Sequence, residues 1–230
     1  MNKGKDLKEL GNTVGNHGSL YLGVNNHAVR KLRQELKLSD EQRSLIYGTM
    51  LGDGTIYGNQ CYKPKNYRLQ INHSSHQKDL VFWKYERLKN FVLKDPKYVP
   101  SNHSWRFRTI SHPELTEIHG LFYKNGKKVL PQNIESIIGD RLALAVWYMD
   151  DGCKWVSKLK EVGLILNTQS FTHKEVKMIA GTFRRIYNFD LRIHRDHGKF
   201  RVHIPLKDQK YFSNLISKFT IDTLKYKLPR

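Results

Sequence analysis

Two apolar segments of the chain each end in an acidic residue followed by glycine. Residues 46–54 read IYGTMLGDG and residues 144–152 read LAVWYMDDG, so Asp53 and Asp151 stand at equivalent positions. If both segments are helices lying side by side, their carboxylates emerge together at one end. Carboxylates that close repel each other unless a cation lies between them. Because Mg²⁺ prefers carboxylate and carbonyl oxygens, the pair predicts a divalent metal site.

Glycines in the first segment indicate close contact between the two helices. Gly48 and Gly52 are four residues apart and therefore lie on one face of the helix. Each glycine inside a helix costs about 1 kcal/mol relative to alanine. The close approach of a second helix would explain why glycine is kept there.

A lysine follows each acid at nearly the same distance. Lys128 lies 75 residues after Asp53 and Lys227 lies 76 residues after Asp151, and a proline follows each lysine closely. The matched spacing indicates a duplicated unit in which each half supplies one acid and one lysine. A molecule with such internal symmetry suits a ligand with its own twofold axis, and duplex DNA has one.

The elements that position these residues occur twice in the same order. Alternating segments predict strands, and apolar residues at helical spacing predict helices. Ser39 and Gln42 are typical of a capping box before the first acidic segment. The four tryptophans, Trp83, Trp105, Trp147 and Trp155, are expected in the core. Helices are predicted over 28–38, 40–51, 76–93, 113–123, 134–149, 172–187 and 209–219, and strands over 67–72, 105–109, 162–167 and a hairpin at 191–204.

The composition favours a polyanionic partner. The 230 residues include 40 Lys+Arg and 21 Asp+Glu, a formal charge of +19, and such an excess repels itself unless a polyanion neutralises it. The 39% of hydrophobic residues suffices for a core, and no segment approaches the roughly 18 apolar residues of a membrane helix. Two cysteines without zinc-ligand spacing argue against disulfide scaffolds and structural zinc. Nucleic acid is the first candidate partner, ahead of an anionic membrane surface.

These motifs resemble those of the LAGLIDADG homing endonucleases, in the single-chain form with two motifs. The resemblance covers about residues 40–230 and is closest at 147–155, 166–172 and 226–229. These segments are similar to those of enzymes encoded in group I introns of organelle ribosomal-RNA genes. The resemblance implies an α+β fold of two pseudo-twofold-related αββαββα halves, with antiparallel sheets forming a DNA-binding saddle and the motif helices packed at the interface. The halves would be residues 40–133 and 134–230, after a basic N-terminal extension over residues 1–39.

The same resemblance assigns roles to individual residues. The catalytic, metal-binding acids would be Asp53 and Asp151, not Asp150, whose side chain would cap its helix. The metal ligands would also include the backbone carbonyls of Gly52 and Asp150, and the active-site lysines would be Lys128 and Lys227. The alternating strands and the polar positions beside the site would bind DNA through Arg68, Gln70, Asn72, Arg106, Arg108, Lys154, Asn167, Arg192, His194, Arg201 and His203.

The activity implied is Mg²⁺-dependent hydrolysis of both strands of a long asymmetric DNA target across the minor groove, with Mn²⁺ able to substitute. Cleavage would leave 3′ overhangs and serve intron homing by a monomeric enzyme. An RNA maturase on the same scaffold, with intron RNA as partner, stays open as the alternative, as does a non-catalytic DNA-binding regulator. Abundant Lys, Asn and Ile with little Ala are typical of AT-rich coding. Together with the absence of an import or secretory signal, this composition favours a protein made inside a mitochondrion or chloroplast.

Overall fold

The computed structural model describes residues 27–58, 66–157 and 160–229. The expected extension over residues 1–39 therefore lies partly outside the described residues. Its described part contains α1 (His27–Glu35), which packs on the first part of the chain. The Arg33 guanidinium donates to the Ser111 carbonyl at 2.6 Å, and His112 Nε2 lies 3.1 Å from the Arg33 carbonyl. Val29 is buried, so this helix is anchored by both polar and apolar contacts.

The first half of the chain contains a helix–strand–strand pattern that occurs twice. The capping box predicted at Ser39 and Gln42 is confirmed, because the backbone NH of each residue donates to the side-chain oxygen of the other. It starts the first motif helix. The elements are α2 (Asp40–Leu51), β1 (Thr55–Tyr57), β2 (Arg68–Ser74), α3 (Lys78–Leu88), β3 (Lys97–Val99), β4 (Ser104–Arg108) and α4 (Pro113–Phe122).

The second half follows a short connection, in which β5 (Tyr123–Lys124) and β6 (Lys127–Lys128) flank a turn with positive φ at Asn125 and Gly126. Helix α5 (Ile134–Gly139) precedes α6, whose N-cap is Asp140. A Thr172–Glu175 capping box starts α7, and Asn188 ends it in the left-handed conformation. The elements are α6 (Arg141–Asp151), β7 (Gly152–Ser157), β8 (Lys160–Leu166), α7 (His173–Tyr187), β9 (Arg192–Asp196), β10 (Lys199–Pro205) and α8 (Leu206–Ile216).

The two four-stranded sheets have the same topology. Their strand orders are β1-β2-β4-β3 and β7-β8-β10-β9, and every pairing is antiparallel. Together with the flanking helices, each half therefore reads αββαββα, and the predicted α+β fold class is confirmed. The predicted strands do not include β1, β3 and β7, because each of these is short or irregular in pattern and is defined by pairing with its neighbour rather than by alternation.

By contact density the described chain divides into two compact units. The first contains residues up to Gln42 and Thr55–Glu117, and the second contains Arg43–Gly54 and the chain from Ile118 onwards. In the first unit α3 packs against β2 and β4, and in the second α7 and α8 pack against the β7–β10 sheet. Most of the first motif helix thus belongs to the second unit. None of the described helices is long and apolar enough to cross a membrane.

Candidate active site and nucleic-acid interface

Helices α2 and α6 lie in close contact inside the second unit, as the glycines predicted. A Cβ atom added to Gly48 would lie 2.2 Å from the Ala143 carbonyl oxygen and 2.8 Å from Val146 Cβ. One added to Gly52 would lie 2.6 Å from Asp150 Cβ. Atoms do not approach that closely, so only glycine allows this packing. The contact brings the ends of both motif helices together.

The acids at these helix ends interact electrostatically. Burial, followed by repulsion from Asp53 and then from Asp150, raises the pKa of Asp151 to about 8. The ammonium groups of Lys128 and Lys227 oppose this shift. The side chain of Asp150 is itself buried and lies against Gly52. The structure therefore brings Asp53 and Asp151 together as one acidic site, which favours a bound cation.

Each predicted lysine contacts the carbonyl groups at the end of a motif helix. Lys128 Nζ donates to the Gly52 carbonyl at 2.6 Å, and Lys227 Nζ donates to the carbonyls of Met149 at 2.5 Å and Asp150 at 3.4 Å. Burial lowers the pKa of Lys227, although the nearby acids and Cys153 oppose this. The nearly equal spacing in the sequence therefore corresponds to similar contacts in space, because each lysine reaches the carbonyl of the residue before its acid.

The donor set fits a hard divalent cation that is shared with a ligand. Among the described residues no group of three or more His, Cys, Asp or Glu side chains could hold a metal ion alone. Asp53 and Asp151 supply two carboxylates, and the carbonyls of Gly52 and Asp150 lie at the same helix ends. Mg²⁺ commonly binds through one or two carboxylates and completes its shell with water and substrate phosphate oxygens. The site therefore fits a metal ion that binds together with a phosphodiester.

One face of the first sheet carries the polar residues that the alternation predicted. Gln70 pairs with Arg108 and Asn72 with Arg106 across β2 and β4, so all four side chains share a face with Arg68. The Arg108 Nε donates to Gln70 Oε1 at 2.7 Å. This side of the sheet presents several hydrogen-bond donors that suit base edges and phosphates.

Tyr57 on β1 belongs to the same face, although no motif or alternation in the sequence selects it. It pairs with Arg68 in register. The guanidinium carbons of Arg68 and Arg108 lie 6.0 Å and 5.8 Å from the centre of its ring. The ring therefore holds two predicted DNA-binding arginines in place by cation–π contact.

One face of the second sheet carries the other predicted readers. His203 pairs with Arg192, and Arg201 pairs with His194, so the four side chains lie on one side. Arg192 is exposed, whereas His203 is only 4% exposed. Burial lowers the pKa of His203, partly opposed by a hydrogen bond with the Val162 carbonyl. His203 thus lies in the layer beneath the surface.

The expectation that all four tryptophans are core residues is wrong for three of them, because Trp83, Trp105 and Trp155 are half-buried. Trp147 is fully buried, but Trp155 is half-buried and pairs with Gly163. Its ring makes edge contacts with His194 and His203 at centroid distances of 4.9 Å and 4.6 Å. No pattern in the short β7 segment distinguishes a core tryptophan from one beside the polar residues.

The remaining two predicted residues take different positions in the second unit. Lys154 pairs with the buried Leu164 and therefore points to the opposite side of the sheet from Arg201. Asn167 borders the acidic site, because its backbone NH and Nδ2 donate to the Asp151 carbonyl at 3.0 Å and 2.8 Å. Their roles toward DNA stay predictions.

Comparison with known proteins identifies the family. The model described as "LAGLIDADG DNA endonuclease family" matches residues 43–212, most of the chain and both motif helices. The chain belongs to this family. It is 30% identical over 220 residues to the "Probable intron-encoded endonuclease 1" of Wickerhamomyces canadensis, covering 91% of this chain and 93% of that protein. It is also 28% identical over 203 residues to the "Cytochrome b mRNA maturase bI2" of Debaryomyces hansenii, covering 83% and 74%.

Solved structures agree with this assignment. The homing endonuclease I-WcaI bound to its DNA recognition sequence superposes with a TM-score of 0.80 at 26% identity, covering 91% of this chain and 96% of that one. A variant of I-DmoI, solved with its target DNA in the presence of Mn, gives a TM-score of 0.50 at 16% identity over 81% and 97%, which shows a shared fold alone. The recognised family, its fold and its DNA endonuclease activity are thus confirmed for this LAGLIDADG protein.

Proposed function

We propose that this LAGLIDADG protein is an intron-homing endonuclease that cuts both strands of one long asymmetric DNA site across the minor groove and leaves 3′ overhangs. The observation that carries the proposal is the duplicated acid–lysine arrangement. Two carboxylates that repel each other and two ammonium groups lie at the ends of two touching helices. One acid–lysine set is available for each strand.

The metal is proposed to be Mg²⁺, with Mn²⁺ able to substitute. Asp53 and Asp151 would hold it, with the carbonyls of Gly52 and Asp150 alongside. When bound, such an ion supplies an activated water and stabilises the charge that develops on the leaving 3′ oxygen. Asp151 is half-buried and its pKa is raised to about 8, so cation binding would also release a proton from this carboxyl.

The lysines are proposed to act on the phosphate. Lys227 is buried, and its Nζ is held by two carbonyls at the end of α6. An ammonium group fixed in this way can stabilise charge that develops on a scissile phosphate without reorganising. Tyr148 supports this position by donating from its hydroxyl to the Lys227 carbonyl at 2.8 Å. Lys128 would serve the other strand in the same manner.

Recognition is proposed to use the polar face of each sheet. Arginine reads guanine and glutamine reads adenine by paired hydrogen bonds in the major groove, and the other basic side chains would bind phosphates. On these faces the proposed set comprises Arg68, Gln70, Asn72, Arg106, Arg108, Arg192, His194 and Arg201, with His203 in the layer beneath them. Lys154 and Asn167 lie off these faces and are proposed to bind DNA from the other side of β7 and from beside the acidic site.

The proposed biological setting is supported by the relatives. We propose that the protein acts as a monomer whose family halves are residues 40–133 and 134–230, and that it is made in a mitochondrion or chloroplast from a group I intron. A relative named for an intron-encoded endonuclease and the AT-rich amino-acid usage support this origin.

A maturase role is the second candidate, because a relative that carries that name aligns with 83% of this chain at 28% identity. Such a role needs a basic surface that binds structured intron RNA, but it does not need the paired acids. The two functions differ in their dependence on Asp53 and Asp151, which gives a direct way to separate them.

The test of the proposed function is cleavage selection from a randomised duplex library. Wild type and Asp151→Asn would be compared in Mg²⁺ and in Ca²⁺. We expect the wild type to select one long site and to cut both strands in Mg²⁺ only, and the variant to bind that site without cutting. Binding without cleavage in any metal would contradict the proposal. Weak duplex binding with tight binding to a structured intron RNA would favour the maturase.

A further inference from the structure

A chain of polar contacts connects the backbone of Asp151 with the hairpin β9–β10. Asn167 donates to the Asp151 carbonyl from both its backbone and its side chain. Gln169 Nε2 lies 3.3 Å from Asn167 Oδ1 and 3.4 Å from Asp196 Oδ2. Asp196 Oδ2 lies 3.5 Å from a terminal nitrogen of Arg201. We name Asn167, Gln169 and Asp196 the relay.

The amide of Gln169 suits the middle position of the relay. A primary amide carries two hydrogens, so one nitrogen can donate to two acceptors at once. Gln169 is half-buried in the loop between β8 and α7. Its neighbour Thr168 makes a separate connection, because its fully buried hydroxyl donates to the Phe200 carbonyl at 3.0 Å. The loop therefore has one contact to the hairpin that leads to Asp151 and another that does not.

The far end of the relay lies where the hairpin would meet a nucleic acid. Asp196 ends β9, and the turn at His197 and Gly198 has positive φ at both residues. Arg201 lies opposite His194 on the polar face of the sheet. The side chains of Asp196 and Arg201 are 26% and 31% exposed. Arg201 and Gln169 share the same oxygen of Asp196, so an arginine that turns to a phosphate or base edge leaves that oxygen to Gln169.

We propose that Gln169 is a positioning residue that transmits DNA engagement by the hairpin β9–β10 to Asp151, so that the cleavage rate depends on correct recognition. This inference rests on the proposed endonuclease function. Gln169 is assigned no contact with the carboxylates of Asp53 and Asp151 or with the scissile phosphate. It acts through Asn167, which fixes the backbone carbonyl of Asp151.

The test compares wild type, Gln169→Leu and Thr168→Val on the selected target. Affinity would be measured in Ca²⁺ and the single-turnover cleavage rate in Mg²⁺ at saturating protein. We expect Gln169→Leu to keep its Kd within about threefold and to cleave about 10- to 100-fold more slowly, the usual range for a group that orients a metal ligand. Thr168→Val removes the other contact between the loop and the hairpin, and the folded fraction should cleave at the wild-type rate.

A second readout separates coupling from simple structural support. Duplexes with single base changes would be used at the positions where Arg201→Ala alters binding. For the wild type, these changes should slow cleavage more than they weaken binding. In Gln169→Leu the two effects should become equal, because recognition no longer reaches Asp151. The double variant Gln169→Leu/Asp196→Ala should be little slower than the slower of the two single variants, Gln169→Leu and Asp196→Ala, since both changes interrupt one path.

Several results would overturn the inference. Cleavage by Gln169→Leu at the wild-type rate would exclude the positioning role, and an equal slowing on every duplex with discrimination intact would exclude the coupling. If the leucine variant does not fold, Gln169→Asn, which is one methylene too short to span the relay, gives the same comparison. Absence of cleavage by the wild type would contradict the proposed function itself, whereas a fully active Gln169→Leu contradicts only the relay.

Discussion

At the residue scale, the chemistry of the site depends on carboxylates held where they are costly to ionise. The pKa of Asp151 is raised to about 8 from a usual value near 3.8, so the folded protein binds this proton more tightly than the unfolded chain. The proton therefore stabilises the metal-free protein at low pH. That contribution is lost as the pH rises from about 4 to about 8.

The raised pKa of Asp151 predicts how the stability of the metal-free protein changes with pH. In EDTA, the melting temperature of the wild type should fall between pH 5 and pH 8.5, and Asp151→Asn should be the more stable protein at the upper end, because it removes a buried carboxylate under repulsion. Glu86→Gln, an exposed change on α3, serves as the control and should follow the wild type. Parallel pH curves for Asp151→Asn and wild type would contradict the prediction.

The lysines support a prediction on strand cleavage. Lys227→Met should slow the cutting of one strand about a hundredfold or more, because the variant lacks the ammonium group that stabilises the negative charge developing on the phosphate. A supercoiled plasmid that carries the target would then accumulate as the nicked form. Lys177→Met, an exposed change on α7, should linearise the plasmid like the wild type. Equal loss of nicking and linearisation in Lys227→Met would show that the two acid–lysine sets do not serve separate strands.

At the scale of elements, the contact between α2 and α6 positions the acids. Gly48→Ala places a methyl group 2.2 Å from the Ala143 carbonyl, so the helices must separate, and we expect a loss of about 1–3 kcal/mol in the free energy of unfolding. Gly181→Ala on α7 is the matched control, because its Cβ meets nothing closer than Arg185 at 3.6 Å. It should stabilise the protein by about 0.5–1 kcal/mol. Denaturant unfolding measures the change in the free energy of unfolding for both variants. Equal changes for Gly48→Ala and Gly181→Ala would contradict the close packing of α2 and α6.

The sequence predicted the elements whose pattern is local. The capping box of α2, the alternation of β2 and β4 and the hairpin predicted over 191–204 each depend on neighbouring residues, and all are present. The matched spacing of Lys128 and Lys227 also predicted that both belong to the site, and both contact the ends of the motif helices. The local features needed no knowledge of distant residues, whereas the lysines were predicted from the duplicated spacing of the two halves.

The features that were missed depend on cross-strand partners. Strands β1 and β7 are defined by their pairing, and Tyr57 joins the polar face only through its register with Arg68. Trp155 was assigned to the core because an isolated tryptophan carries no sign of the face it occupies. The relay through Gln169 joins residues 151, 167, 169 and 196, and no spacing rule connects them.

At the scale of the whole molecule, the charge of +19 predicts strongly salt-dependent binding to DNA. The logarithm of the binding constant should fall steeply with the logarithm of salt, by about 0.9 for each phosphate contact. Arg192→Gln, on the polar face of β9, should reduce this slope by about one unit if the side chain binds a phosphate. Lys210→Gln, on the exposed side of α8, makes the same charge change and should leave the slope nearly unaltered. Equal slopes for Arg192→Gln and Lys210→Gln would contradict the assignment of the polar face of β9 to DNA binding.

The central claim is that Asp53 and Asp151 form one metal-dependent site that cuts both strands. The most direct measurement follows cleavage of the selected target, strand by strand, by wild type, Asp53→Asn, Asp151→Asn and the double variant. In Mg²⁺ we expect each single change to slow double-strand cleavage about a hundredfold or more, while binding in Ca²⁺ persists. Cleavage at the wild-type rate by the double variant would show that the reaction takes place elsewhere and would contradict the assignment of Asp53 and Asp151 as the site.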